Sequence, residues 1–256
     1  MTDSPLKIWR ENDGRLLRLR LSKPKANIID AKMIGALDAA FKDAGKDEKL
    51  LAVLLDHEGP HFSFGASVEE HMPGQCAAML KALHGLIAEI LTCPVPVLVA
   101  VNGQCLGGGL EVALAASMIF AGSRAAFGQP EIRIGVFAPA ASCLLPRLIG
   151  QTRAEDLLFS GGAVTADEAL KAGLVKDVSE NGEAAALEYV NEHLDGLSAS
   201  TLRFAVRAAR GPFADAVIAD LNRVEDLYLQ DLMQSHDAVE GLKAFVEKRQ
   251  AKWEHR

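Results

Sequence analysis

The stretch VPVLVAVNGQCLGGGLEVALAASMIFAG, Val95 to Gly122, decides how this chain folds. Its opening VPVLVAVNG is a continuous apolar run closed by glycine, the pattern of a strand buried on both faces. Gly107, Gly108 and Gly109 then open an Ala- and Leu-rich helix that the pattern carries to about Ser117, followed by a short apolar strand. Upstream, LLAVLLDHEG (Leu50 to Gly59) repeats the strand design, with a helical stretch from about Gln75 to Leu91 between the two. Strand, helix, strand in that order predicts a βαβ unit and a parallel sheet.

Working outward, Asn12-Asp13-Gly14 before LLRLRL (Leu16 to Leu21) is turn chemistry and predicts an N-terminal hairpin. Ala125 to Gly150, punctuated by Gly and Pro, reads as strand, loop and helix, and GLVKDV (Gly173 to Val178) as one last strand. From about Leu197 the period is 3.6 throughout, with no strand. The class is α/β: residues 1–196 form the core, and 197–256 a helical region that packs on it or on a neighbouring subunit.

Composition narrows the function. Of 256 residues 49% are hydrophobic, enough for a large core, while aromatics are only 5%, little material for stacking bases. With 27 basic against 34 acidic residues the net charge is −7, which argues against a general polyanion binder, so no nucleic-acid partner is expected. Cys76, Cys93, Cys105 and Cys143 show neither CxxC spacing nor a nearby His pair, so no metal is expected and reduced thiols fit best. The polar N-terminus lacks an apolar h-region, and the longest apolar stretch, Val95 to Val101, is too short to span a bilayer. A soluble cytoplasmic protein, not bound to membrane, is the expectation.

Three segments can carry chemistry. In GGGLE, backbone N–H groups at a helix start would stabilise an anionic oxygen, and Glu111 lies one turn away, a combination suited to enolate chemistry. Equally, the glycines permit close helix packing and Glu111 answers the helix dipole. HFSFGASVEEH (His61 to His71) follows a strand, where α/β folds place ligands; Gly65-Ala66 can supply another N–H, and Ser67 with Glu70 reads as a capping box. Glu131 follows Pro130 on a constrained loop, the position of a catalytic acid or of a solvated surface carboxylate. His57 and His61 are spaced as a metal pair only if helical, which a strand-to-loop reading denies, and no GxSxG, Walker A, GxGxxG or HExxH motif occurs.

Taken together, FSFGASVEE, VPVLVAVNGQCLGGGLEVALAASMIFAG, FGQPEIRIG and GLKAFVEKR resemble, in order and spacing, the crotonase (enoyl-CoA hydratase/isomerase) superfamily across nearly the whole chain. The resemblance implies a spiral of ββα units, a helical C-terminal region used in trimerisation, and a homotrimer or a hexamer of two trimers. It implies an acyl-CoA substrate, with CoA part of that substrate and no separate cofactor. Carried over by motif position, the backbone N–H groups of Ala66 and Gly108 would hold the thioester oxygen, and losing one such donor costs roughly a hundred- to a thousandfold in rate. Glu111 is then the base that activates water and Glu131, protonated, the proton donor. Gly65, Ser67 and Val68 fall on substrate-binding positions. Lys25 and Ala26 in LSKPKANIID fall near the nucleotide of CoA, a solvated basic turn being the alternative.

Departures from the common pattern sharpen the implication. VFAPAASCLL replaces a glycine-rich loop after FGQPEIRIG, Ser67 replaces an Asp, and Met118 stands where Asp is common. These look most like the branch that hydrates a cyclic dienoyl-CoA in anaerobic aromatic degradation, with hydroxyl at the β carbon and the proton at the far end of the dienolate. The alternatives are a generalist 2-enoyl-CoA hydratase, an enoyl-CoA isomerase, or a non-catalytic RNA-binding or assembly subunit, which the acidic balance and the intact Glu pair oppose.

Overall fold

The computed structural model describes residues 4–256. Strands β1 (Leu6–Glu11) and β2 (Leu16–Leu21) form the N-terminal hairpin, antiparallel with Leu6 opposite Leu21. Asn12, Asp13 and Gly14 turn the chain with successive positive φ values of 52°, 54° and 86°, conformations that Asn, Asp and Gly adopt at least cost.

From β2 the main sheet continues in parallel through β3 (Ala52–His57), β4 (Val97–Val101), β6 (Met118–Gly122) and β9 (Asp177–Ser179). Every residue of β4 is buried, as its unbroken apolar run requires. A smaller sheet holds β5 (Gln104–Leu106), β7 (Ala126–Gly128) and β8 (Ala163–Thr165). Single parallel bridges, Ile29 with Ala66 and Ser63 with Cys105, prolong the line of this second layer.

The chain therefore steps repeatedly from main strand to second layer to helix. β3, the Ser63 bridge and α2 (Cys76–Leu91) make one turn; β4, β5 and α3 (Gly107–Leu114) the next; β6, β7 and α4 (Pro139–Ile149) a third. This is the expected spiral, and it places the loop after β3 beside the start of α3. Helix α1 (Ala31–Lys46) lies against α2, while α5 (Gln151–Ser160), α6 (Ala166–Ala172) and α7 (Gly182–Tyr189) complete the body. The main apolar core spans both layers and the helices, and a smaller cluster joins Leu54, Leu98 and Phe120 to Ala186 and Val190 of α7 and its continuation.

The C-terminal region consists of α8 (Ala199–Asp226) and α9 (His236–Val246), α8 capped by Ser198, which accepts from the Thr201 N–H at 3.4 Å. Ala214, Val217, Leu221, Val224 and Tyr228 are buried at alternating spacings of three and four, one helical stripe facing the core. Arg210 ties α8 to the end of α3, donating to the carbonyls of Ala115 at 2.7 Å and Ala116 at 3.2 Å. Among the described residues no helix is long and apolar enough to cross a membrane.

Three local expectations are corrected. The glycine-started helix ends at Leu114, not near Ser117. The last strand occupies Asp177–Ser179, and β8, three residues long and lacking readable alternation, is additional. Ser67 Oγ accepts from the Glu70 N–H at 3.4 Å, but the Glu70 carboxylate turns away to the first amide of α1, accepting from Ala31 at 3.1 Å. The reciprocal half of the capping box is therefore absent, and only a single 3-10 turn, Glu69–His71, follows.

Candidate active site

Two backbone segments meet at the site. The loop after β3 is held along β5 by Phe62 N–H to Asn102, Ser63 N–H to Gln104 and Leu106 N–H to Ser63. The Ser63 hydroxyl donates to the Asn27 carbonyl at 2.8 Å and accepts from the Gly65 N–H at 3.1 Å, fixing the bend. Against this bend sits the first turn of α3. A Cβ on Gly108 would lie 2.8 Å from the Ala66 Cβ and 3.1 Å from its nitrogen, so only glycine lets the two segments approach this closely. Gly108 is the second residue of α3, so its N–H has no acceptor within the helix, and the Ala66 N–H has none among the described residues.

Glu111 projects from the next turn of α3 and is buried. It accepts from the Ala141 N–H at 3.0 Å, the third residue of α4, whose start is set by Pro139. Burial raises its carboxyl above the usual range, while the Ala141 and Ala140 amides and nearby His84 pull the other way. Its dipole partner is thus α4, not its own helix.

Glu131 comes from the 3-10 turn Pro130–Ile134, closed by left-handed Gly135. Its carboxyl lies over Gly107, where a Cβ would come within 2.6 Å of Oε1; Gly107 also has φ of 51°. Burial and the negative charge of Glu111 push it up to about 8. The buried Gln129 amide faces this acid. With its nitrogen inward it donates to Glu131 Oε1 and Oε2 at 3.1 and 2.9 Å; with its oxygen inward it suits a protonated acid.

Both acids line one cavity of about 260 Å³, together with Gly65, Ala66, Val68, Gly108 and an apolar wall including Leu80, Leu83, Val136 and Phe137. Lys25, Ala26 and Ser67 lie together in a shallower recess beside Asp30 and Glu70. The two recesses share a loop, since the Phe64 N–H donates to the Ala26 carbonyl at 2.9 Å. A larger cleft of about 940 Å³ separates α8 from the C-terminal ends of α1 and α2, but it contains neither acid nor glycine loop. Both acids and the glycine loop meet in the smaller cavity, which is therefore the candidate site.

His57 Nε2 and His61 Nδ1 accept from the Asn102 and Gln104 backbone at 3.0 and 3.1 Å, which makes them braces for the loop. Sequence reasoning assigned no role to four neighbours of the site. His71 lines the cavity, its Nδ1 2.7 Å from the Ser67 carbonyl, and burial lowers its pKa. Gln129 is the second. Tyr228 is buried edge-on to Phe137, its hydroxyl without a partner among the described residues. His84 Nδ1 lies 2.6 Å from Glu225 Oε2, a partner 141 positions away that no local spacing reveals. The one readable signal was helical: His84 shares a stripe with Leu80 and Leu83.

Residues 11–256 match the family described as enoyl-CoA hydratase/isomerase. The chain belongs to that family. Within the enoyl-CoA hydratase/isomerase family, it is 62% identical over 253 residues to the cyclohexa-1,5-dienecarbonyl-CoA hydratase of Thauera aromatica, covering 99% of this chain and 98% of that one. It is 30% identical to a carnitinyl-CoA dehydratase of Salmonella agona, covering 95% and 97%. Among solved structures, the enoyl-CoA hydratase/isomerase of Pseudoalteromonas atlantica T6c superimposes with a TM-score of 0.84 at 30% identity, over 97% of this chain and 99% of that one. The α/β spiral is therefore the family's crotonase fold.

Proposed function

We propose that the chain is a hydro-lyase adding water to cyclohexa-1,5-diene-1-carbonyl-CoA to give 6-hydroxycyclohex-1-ene-1-carbonyl-CoA. The carrying observation is that two acids from separate turns of the spiral, Glu111 buried and Glu131 half-buried, line one small cavity beside the Ala66 and Gly108 amides. Likeness to the Thauera aromatica hydratase supports the choice of substrate.

In this reading the thioester oxygen sits between the Ala66 and Gly108 N–H groups, which strengthen their hold as it becomes an enolate. Glu111, held at the start of α4, takes one proton from water while the water oxygen bonds to the β carbon. The resulting dienolate takes a proton from Glu131 at its far end, and Glu111 then returns its proton to Glu131. One water is added and both acids are restored. The apolar wall keeps bulk water from the dienolate, and no metal or separate cofactor enters. Gly65, Ser67 and Val68 flank the thioester, with Lys25 and Ala26 toward the CoA nucleotide. Incubation with the cyclic dienoyl-CoA in isotopically labelled water is expected to yield a hydroxylated ring carrying the label; an isomerised product without label would overturn the reading.

The reading includes a cytoplasmic homotrimer or hexamer built through residues 197–256. The first half of α8 contributes no buried residue before Ala214, and Phe204 on it is 62% exposed. Sedimentation of the purified chain at a trimer or hexamer mass is expected; a monomer would contradict it.

A further inference from the structure

Apart from the two acids, only His71 and Arg133 bring polar side chains to the lining of the cavity among the described residues. Arg133 is exposed and carries donors only, its Nε donating to the Ser160 carbonyl at 3.4 Å. His71 is half-buried at the end of the 3-10 turn Glu69–His71, which packs against both α2 and α9. The turn is braced from within: the His71 N–H donates to the Val68 carbonyl at 3.1 Å and the Met72 N–H to the Glu69 carbonyl at 3.2 Å. The imidazole is thus carried by the same loop that offers the Ala66 amide, five positions further on.

Its hydrogen bonding fixes which ring nitrogen is free. Nδ1 lies 2.7 Å from the Ser67 carbonyl, which can only accept, so the proton sits on Nδ1. Nε2 has no partner among the described residues and, unlike Nε2 of His84, is not sealed from solvent. Burial lowers the pKa of the ring, which leaves Nε2 a bare lone pair near neutral pH. His71 therefore adds an acceptor to a cavity of about 260 Å³ walled by Leu80, Leu83, Val136 and Phe137. An acyl group that fills this space without offering a donor strips water from Nε2 and returns no hydrogen bond, which is unfavourable.

A hydrocarbon ring and its thioester carry no donor. Water carries two protons: in the hydration one passes to Glu111, and the other stays on the new hydroxyl, which needs an acceptor. We propose that His71 is a specificity-determining residue whose Nε2 accepts the hydrogen bond of that hydroxyl. The site thereby selects ring acyl groups with a hydroxyl on the carbon next to the one bearing the thioester. This rests on the hydratase reading for the chemistry of the substrate.

The test measures, by calorimetric titration, the affinities of 6-hydroxycyclohex-1-ene-1-carbonyl-CoA and cyclohex-1-ene-1-carbonyl-CoA, which differ by the hydroxyl alone. Glu111→Gln serves as background, to suppress dehydration of the hydroxylated ring during the titration. Adding His71→Leu is expected to lower the ratio of the two affinities about five- to tenfold, whereas His71→Gln, which keeps an acceptor, should retain most of it. A merely structural role for His71 would weaken both ligands alike and leave the ratio unmoved. So would a bond from Nε2 to an amide of the CoA arm, and an unmoved ratio would overturn the proposal. If His71→Leu fails to fold, nitrogen NMR of histidine-labelled Glu111→Gln protein decides. The Nε2 signal should move upfield with the hydroxylated ring and not with its deoxygenated analogue; equal responses would overturn the proposal. Failure of the unaltered enzyme to hydrate any enoyl-CoA would overturn the hydratase reading, while the affinity ratio would still report on His71.

Discussion

Glu111 and Glu131 are chemically identical side chains made unequal by what surrounds them. Glu111 takes the Ala141 amide at a helix start, whereas Glu131 meets burial, a like charge and an amide that can serve either protonation state. Glu111→Gln and Glu131→Gln are each expected to lower hydration by about a hundred- to ten-thousandfold while leaving acyl-CoA binding largely intact, checked by steady-state rates and calorimetric titration. Full activity in either would remove that acid from the mechanism. Stability should follow pH as well. Glu131 is raised from 4.5 to about 8, so the folded protein keeps a proton that the unfolded chain has lost. The resulting stabilisation is complete below pH 4.5 and is lost as pH rises through about 8. Thermal melts of Glu131→Gln across that range should show a smaller decline than those of the unaltered protein.

The acids are only as well placed as the turns that carry them. Gly107, left-handed and beneath Glu131, is the position where a single methyl group should disturb the site most. Gly107→Ala is expected to displace the Glu131 carboxyl, lowering kcat by about tenfold or more and costing about 1–2 kcal/mol of stability from its positive φ. Unchanged kcat would show that the acid tolerates the shift. These turns were legible in the sequence because local chemistry dictates them: glycines where backbones approach, proline before Glu131, unbroken apolar runs for the parallel strands. β8 was not legible, since three residues are too few to show a period. Glu70 was misread because its carboxylate is captured by the start of α1, a competitor 39 positions away that outbids its own turn. His84 and Tyr228 escaped notice for the same reason, their surroundings being set when α8 docks against α2.

Across the whole molecule the spiral converts sequence order into proximity: successive turns bring the loop after β3, the start of α3 and the turn after β7 to one cavity. The apolar surplus of the composition fills a core spanning both layers and walls that cavity. Two of the 34 acidic residues lie inside it, one of them held as a neutral acid near pH 7, so the formal charge of −7 overstates the charge carried there. An apolar wall rich in Leu, Val, Phe, Ala and Pro suits a compact ring, as the proposed substrate requires. The central claim is tested most directly by measuring kcat/KM for cyclohexa-1,5-diene-1-carbonyl-CoA and for crotonyl-CoA on one purified preparation. The cyclic thioester is expected to be the better substrate; faster turnover of crotonyl-CoA would contradict it.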